Sequence, residues 1–481
     1  MKKTKRGVFV RNKLFPAWLA LLLATSSAAA AGVTDRTCHL PDSEDALRCV
    51  TVPVALDYAK PQAGQLKLHV TVAGAFREAA RPDPVFILAG GPGQAGTDVL
   101  PLLTGAFKRV RATRDIVLID QRGTGLSGKL DCPTPPDEET LSDEQAEALL
   151  KSCITASSTR FGAYTTQAAA RDIEQVRRAL GYGKINLWGG SYGTRLAQAY
   201  ARAYPASVRS LVLDGVVAPG QVIPAGGRDG QAALDQLFDM CGRDAGCHKA
   251  YPALKQEFAA LAGKVAGGVK LSLPDPRTAK PASFTMTSAR FLGTVHGMLY
   301  SPSDARRLPF LIHTAAQGNW APFVARENLM SDFGVDAVGS VLLHLAVVCA
   351  EDMPRMTPQL LAAEGGLLAQ PMAARLGPMC AAMKVPAVPY REPARIDAPS
   401  LLLSGALDPV TPPRRAEAAG RFMLHAQQVV VANAGHGVSQ IGCAAKVLRD
   451  FFDHPDKKAD ARCLSEIPAP TFQLGSAGPQ P

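Results

Sequence analysis

The chain has 481 residues, 52 Lys and Arg against 42 Asp and Glu, with 47% hydrophobic and 20% charged residues. That composition excludes a disordered or fibrous chain, and the length is ample for a large buried core. The formal charge of +10 hints at a polyanionic partner, but Lys2, Lys3, Lys5, Arg6, Arg11 and Lys13 supply six of those charges in residues 1–31, which hold no acid. The remaining +4 is spread without a basic run, so no nucleic-acid partner is expected.

Residues 1–13 are basic, Leu14 to Ala24 mostly apolar, and Ser27 to Gly32 small. These are the three regions of a bacterial-type secretory signal peptide, with cleavage after Ala30 or Ala31. The apolar stretch is shorter than the ~20 residues that span a bilayer. The expectation is an exported protein, periplasmic or extracellular, with no membrane attachment after signal removal. The 10 cysteines suit such a compartment. They fall as neighbours, Cys38/Cys49, Cys132/Cys153, Cys241/Cys247, Cys349/Cys380 and Cys443/Cys463, with no Cys-x-x-Cys pair. Structural disulfides are expected, and sequential pairing is one of many connectivities that such a set allows.

Apolar runs then alternate with helix-like stretches, the pattern of an α/β sheet. Strands are predicted at Cys49–Leu56, Leu66–Ala73, Val85–Ala89, Ile116–Asp120, Ile185–Trp188 and Ser210–Leu213, then at Ser400–Leu403 and Gln428–Ala432. The first two alternate as an edge hairpin does, and the others are continuous runs suited to parallel strands covered on both faces. Thr166 to Leu180 reads as a helix with Ala169, Ile173, Val176 and Leu180 on one face. Between Val216 and Arg395 helical windows dominate and strand-like runs are few, which reads as an inserted helical domain.

Three glycine-rich segments compete for the chemistry. Gly91, Gly93 and Gly96 after the Val85–Ala89 strand, with Asp120 ending the next strand, approach a dinucleotide-binding fingerprint. Pro92 removes a backbone N–H from that turn, and Pro101 interrupts the helix that must face the pyrophosphate. An exported dinucleotide-dependent oxidoreductase is the alternative from another class. Gly123 to Lys129 resembles a phosphate-binding loop until Leu130, where Ser or Thr must hold magnesium. Gly189-Gly190-Ser191-Tyr192-Gly193 fits G-x-S-x-G, entered by a strand and left by a helix-like run, Thr194 to Tyr204. Such a turn lifts the serine oxygen above the sheet and aims the Tyr192 N–H at a developing oxyanion.

A serine nucleophile needs a base oriented by an acid, in the chain order Ser, acid, His. Of the histidines after Ser191 (His248, His296, His313, His344, His425, His436 and His454), His436 follows a late strand in a glycine-flanked loop and is the favoured base. Asp408, in a loop stiffened by Pro409 and Pro412, is the favoured acid, and Asp214 at the end of Ser210–Leu213 is its competitor. Gly90 and Gly91 fit the second oxyanion donor. No cofactor and no metal are called for.

Gly90-Gly-Pro-Gly93, Asp120-Gln-Arg-Gly-Thr-Gly-Leu-Ser127, Gly189-Gly-Ser-Tyr-Gly193, Gly405-Ala-Leu-Asp408 and Gly435-His436 occur in that order. Together they resemble the α/β-hydrolase serine peptidases of the prolyl iminopeptidase and secreted tripeptidyl aminopeptidase (TAP-like) group. The resemblance implies a mostly parallel eight-stranded sheet flanked by helices, with an inserted helical cap. The expected division is 1–31 signal, 32–215 and 396–466 the two parts of the hydrolase core, 216–395 the cap, and 467–481 a flexible tail. By position it implies Ser191 as nucleophile, Asp408 as orienting acid, His436 as base, Gly90 and Tyr192 as oxyanion donors, and Asp120 and Arg122 as structural braces. Ala89 departs from the His that the iminopeptidases usually carry before Gly-Gly-Pro-Gly. The implied activity is removal of residues from peptide N-termini through an acyl-enzyme, with a carboxylesterase on small esters as the nearest alternative. Peptides with a free N-terminus are the expected partners. Glu351 and Asp352, beside Cys349, are candidate clamps for the substrate amine, the alternative being a solvated acidic turn.

Overall fold

The computed structural model describes residues 1, 32–41, 43–133, 141–276, 278–333, 339–368 and 370–478; apart from Met1, the expected leader lies outside them. The strands are β1 (Thr34–Cys38), β2 (Leu47–Ala55), β3 (Gln65–Ala73), β4 (Val85–Leu88), β5 (Ile116–Ile119), β6 (Ile185–Gly190), β7 (Val208–Asp214), β8 (Val269–Pro274), β9 (Pro281–Met286), β10 (Ser400–Gly405) and β11 (Ala426–Val431). Nine of them form one sheet in the order β1-β2-β3-β5-β4-β6-β7-β10-β11. The first three and the β3–β5 contact are antiparallel, and every pair from β5 to β11 is parallel. The sheet therefore has one strand more than the eight expected. The added β1 is polar, exposed over four of its five residues, and pairs with β2 alone, so it lacks the apolar run that marks the others.

Period-two geometry sorts the strand residues between two cores. Phe86 and Leu88 join Leu187, Ile173, Val176 and Leu196 on one face, while Val85 and Ile87 join Trp188, Val212, Leu401 and Phe451 on the other. The first face is covered by the helices Thr166–Ala179 and Tyr192–Ala203, the second by Ala444–Asp453. The first of these helices begins where predicted because the Thr165 side chain accepts the Ala168 N–H at 3.2 Å, an N-cap, and Ala169, Ile173 and Val176 follow on one side.

Between β7 and β10 a third apolar cluster gathers Phe238, Phe258, Phe291, Trp320 and Phe323, with Phe291 stacked on Phe323 at 5.1 Å. The helices Val341–Val347 and Gln370–Met383 instead send Leu342, Leu345, Leu376 and Met379 into the sheet core. This segment also holds the β8–β9 hairpin, which sequence reading missed. The expected flexible tail is tied down at Phe472, 3% exposed, which lies under the Arg306 guanidinium at 4.0 Å; its ring supplies the burial that Pro and Gly content alone did not suggest. All five disulfides pair sequential neighbours: Cys38–Cys49, Cys132–Cys153, Cys241–Cys247, Cys349–Cys380 and Cys443–Cys463.

Candidate active site

The strand order reverses around β4, and the residues of interest follow the carboxyl ends of β4, β6, β7, β10 and β11, where open parallel sheets form their crevice. Ser191 joins β6 to its helix with φ 53° and ψ −123°, a left-handed backbone that costs a non-glycine residue about 1–3 kcal/mol. Its neighbours must be glycine for a packing reason. A Cβ on Gly193 would overlap the Leu88 carbonyl, and one on Gly189 would meet the Gly193 carbonyl, because the helix starts directly against β4 and β6. The Ser191 N–H donates to the Asp214 carbonyl at 2.9 Å, and a Cβ on Gly90 would lie 3.7 Å from Ser191 Oγ.

His436 Nδ1 lies 2.8 Å from Asp408 Oδ2. The carboxylate can only accept, so Nδ1 carries the proton and Nε2 is the basic nitrogen. Asp408 is fully buried and also accepts the Val410 and Thr411 N–H groups, both at 2.8 Å, and the Thr411 hydroxyl at 2.7 Å. Burial alone would push the Asp408 carboxyl up, but His436 and these donors outweigh it and hold it below its ordinary value. Burial likewise opposes a charged His436, yet the Asp408 carboxylate, aided by Asp214, holds the imidazole above its ordinary value. Thr411, whose hydroxyl touches both Asp408 and His436 Nδ1 (3.0 Å), escaped sequence reading; the turn Asp408-Pro-Val-Thr411 was its only signal.

Asp214, the competing acid, is otherwise employed. Its oxygens accept the Val438 N–H at 2.8 and 3.0 Å and the Ser439 N–H at 2.7 Å, so it braces the loop that carries His436. That bracing brings base and serine to one strand end: Gly215 follows the carbonyl that Ser191 donates to, and a Cβ there would lie 3.0 Å from His436 Cε1. The His436 N–H donates to the Tyr300 carbonyl at 2.8 Å, and the Tyr300 ring stands edge-on to the imidazole at 5.0 Å.

Among the candidate oxyanion donors, the Gly90 N–H is already given to Gln94 Oε1 at 3.2 Å. Neither the Gly91 nor the Tyr192 N–H has a partner among the described residues, and Tyr192 opens a helix whose first amides are unpaired by construction. The Gly91/Gly93/Gly96 loop leads not into an α-helix but into the 3-10 turn Thr97–Leu103, kinked at Val99, and Gly93 and Gly96 are packed against Ser340 and Ile119. It offers no helix N-terminus to a pyrophosphate.

Asp120 and Arg122 are braces. Asp120 accepts the Thr97 and Leu126 N–H groups at 2.8 Å each, and Arg122, 1% exposed, makes a two-pronged contact with Asp172 at 2.6 and 2.7 Å. Both candidate amine clamps have partners within the chain. Asp352 is fully buried and held by Arg195 (3.1 Å) and Arg355 (2.9 Å), so its charge is already matched. Glu351 receives the Thr166 N–H and hydroxyl, both at 2.7 Å, with Arg195 at 3.8 Å. The pair is not a solvated turn.

Two family models match the chain: one described as alpha/beta hydrolase fold over residues 83–239, the other as TAP-like protein over 368–463. The fold is that of an α/β hydrolase. The chain is 31% identical to a tripeptidyl aminopeptidase of Streptomyces lividans over 247 residues, 46% of this chain and 44% of the relative. It is 30% identical to serine protease Hip1 of Mycobacterium tuberculosis over 224 residues, 41% and 42% of the two chains. Over 143 residues it is 34% identical to a proline iminopeptidase of Neisseria gonorrhoeae, covering 29% and 36%. The matched region thus spans less than half the length of each of these relatives.

Proposed function

We propose that the chain is an exported serine peptidase that removes residues from peptide N-termini, of tripeptidyl- or prolyl-releasing type. Ser191 Oγ attacks the scissile carbonyl as His436 Nε2 takes its proton. The tetrahedral oxygen is received by the Gly91 and Tyr192 N–H groups, with Gly90 shaping the loop. The C–N bond then breaks, His436 returns the proton to the leaving amine, and an acyl-enzyme remains. Water, deprotonated by the same imidazole, cleaves the ester and frees Ser191. Asp408 keeps Nδ1 protonated and stabilises the imidazolium throughout. The observation that carries this reading is the convergence of the strained Ser191 turn and the Asp408–His436 pair on the Asp214–Gly215 strand end. Amide rather than ester substrates, and a free N-terminus, are favoured by the named activities of the aminopeptidase relatives. Export is favoured by five disulfides and by the leader-like residues 1–31.

A panel of fluorogenic mono-, di- and tripeptide amides, each with a free or acetylated amine, tests the proposal. A charge-assisted amine contact is worth about 1.5–3 kcal/mol, so acetylation should lower kcat/KM by roughly ten- to a hundredfold. Equal rates on both forms would remove the aminopeptidase assignment, and turnover of esters without amides would make the protein an esterase.

A further inference from the structure

A buried hydrogen-bond chain starts at the residue after the nucleophile and ends in the segment between β7 and β10. The Tyr192 hydroxyl is 2.8 Å from Thr166 Oγ1, and that oxygen donates to Glu351 Oε2 at 2.7 Å. A threonine hydroxyl has one proton, so with it committed to Glu351 the tyrosine must be the donor to Thr166. The chain runs one way, and the carboxylate at its far end sets the direction. Glu351 is itself held firmly. Its other oxygen takes the Thr166 N–H at 2.7 Å, and it lies in the π-helical turn Val348–Asp352 beside the Cys349–Cys380 bridge. In the same turn Asp352 is pinned by Arg195 and Arg355. π-turns inside helices are uncommon and concentrate at functional sites. Tyr192 is 2% exposed, so the direction of its ring is set by packing and by this one polar anchor. The acyl-transfer steps above use neither Thr166 nor Glu351.

We propose that Glu351 is a positioning residue for acyl transfer: acting through Thr166, it anchors the Tyr192 phenol and so holds the Tyr192 N–H aimed at the developing oxyanion. This rests on Ser191 being the nucleophile. The segment that covers the site thereby becomes part of the catalytic apparatus as well as a cover, and docking of its π-turn completes the oxyanion hole. Burial, with Asp352 adding to it, holds the Glu351 carboxyl above its usual range, and Arg195 with the two Thr166 donors offsets only part of that rise.

The test is the second-order rate at which a fluorophosphonate labels the full chain, since this probe has no amine and places its phosphoryl oxygen in the oxyanion hole. kcat and KM on free and N-acetylated tripeptide amides accompany it, with circular dichroism to confirm folding. Losing an oxyanion donor outright costs 10²–10³-fold, so Tyr192→Phe and Thr166→Val, which misaim one, should each slow labelling about tenfold. The loss should fall on kcat with KM little changed, equally for free and acetylated substrates. Because the two residues act in series, the double variant should be no slower than the slower single one. Glu351→Gln reverses the donor direction without shortening the side chain and should slow labelling by about threefold, and Thr166→Ser should recover to within about threefold of wild type. Wild-type labelling that vanishes in Ser191→Ala stands on its own as support for the nucleophile. A wild type that does not label overturns both that assignment and the positioning role. Normal labelling of Tyr192→Phe and Thr166→Val, or losses that multiply, overturns the positioning role alone. So does a Glu351→Gln defect confined to a raised KM for free-amine substrates, which would make Glu351 an amine contact. If Thr166→Val fails to fold, Tyr192→Phe and Thr166→Ser decide.

Discussion

The carboxyl end of the sheet and the helical segment above it are built on different principles. At the sheet, Ser191, Asp408 and His436 each sit within a few residues of a fully or partly buried strand, and their backbones are fixed by contacts with the adjacent turns. Part of the segment between β7 and β10 is organised around its own aromatic cluster, which includes Phe291, while its later helices pack into the sheet core; the segment meets the site through the Tyr300 carbonyl on His436 and through Glu351 on Thr166. The sheet end positions its side chains through strand ends and tight turns, whereas the segment between β7 and β10 reaches them through contacts made by its own elements.

That contrast can be broken most severely at the serine. Ser191→Ala should lower kcat on the order of 10⁶-fold, because members of such a triad act as a unit; burst and steady-state assays on a peptide amide measure it. Asp408→Asn should cost about 10⁴-fold and also move the pH profile. A base must be neutral to work, so activity falls as pH drops through the His436 pKa, which Asp408 raises. Removing that carboxylate leaves burial, which lowers the pKa, so the acid limb of the residual activity should shift to lower pH. A limb that stays in place or moves to higher pH would contradict the pairing.

In the covering segment the effects should be on stability. Phe291→Ala removes a fully buried ring stacked between Phe258 and Phe323 and should cost about 3–5 kcal/mol. Hydrogen exchange should then rise across the helices Leu254–Ala266 and Ser288–Met298 while the amides of β4 to β7 stay protected. Exchange rising equally in the sheet would mean that the two cores unfold as one. The smallest effect is at Thr165, the N-cap of a helix behind the sheet, where Ala should lower stability by about 1 kcal/mol in denaturant titration.

The eight strands legible in the sequence share one trait: each is an alternating or continuous apolar pattern closed by a turn former, as in Val85-Phe-Ile-Leu before Gly90. β1 has no apolar pattern, and β8 and β9 are six residues each, ending at Pro274 and starting at Pro281 inside a helical stretch, so length and context hid the hairpin. The Ser191 turn was legible because its constraint is local: Gly189, Ser191 and Gly193 must fit between β4 and β6 whatever the rest of the chain does. Asp408 and His436 followed from strand order, and Asp214 was separated from Asp408 only when the Val438 and Ser439 amides were seen to fill its oxygens. The contact of Glu351 with Thr166 was not legible, since the two lie 185 residues apart and no local pattern links them. Gln94, which takes up the Gly90 amide, carries no motif at all.

The central claim is that Ser191 is made nucleophilic by His436. Peptide mapping of the fluorophosphonate adduct, with its rate of formation followed against pH, tests it most directly. The predicted result is one modified peptide containing Ser191, formed at a rate that falls in acid as His436 protonates and lost in His436→Ala. A label on another residue, or one that forms at full rate without His436, would contradict the account.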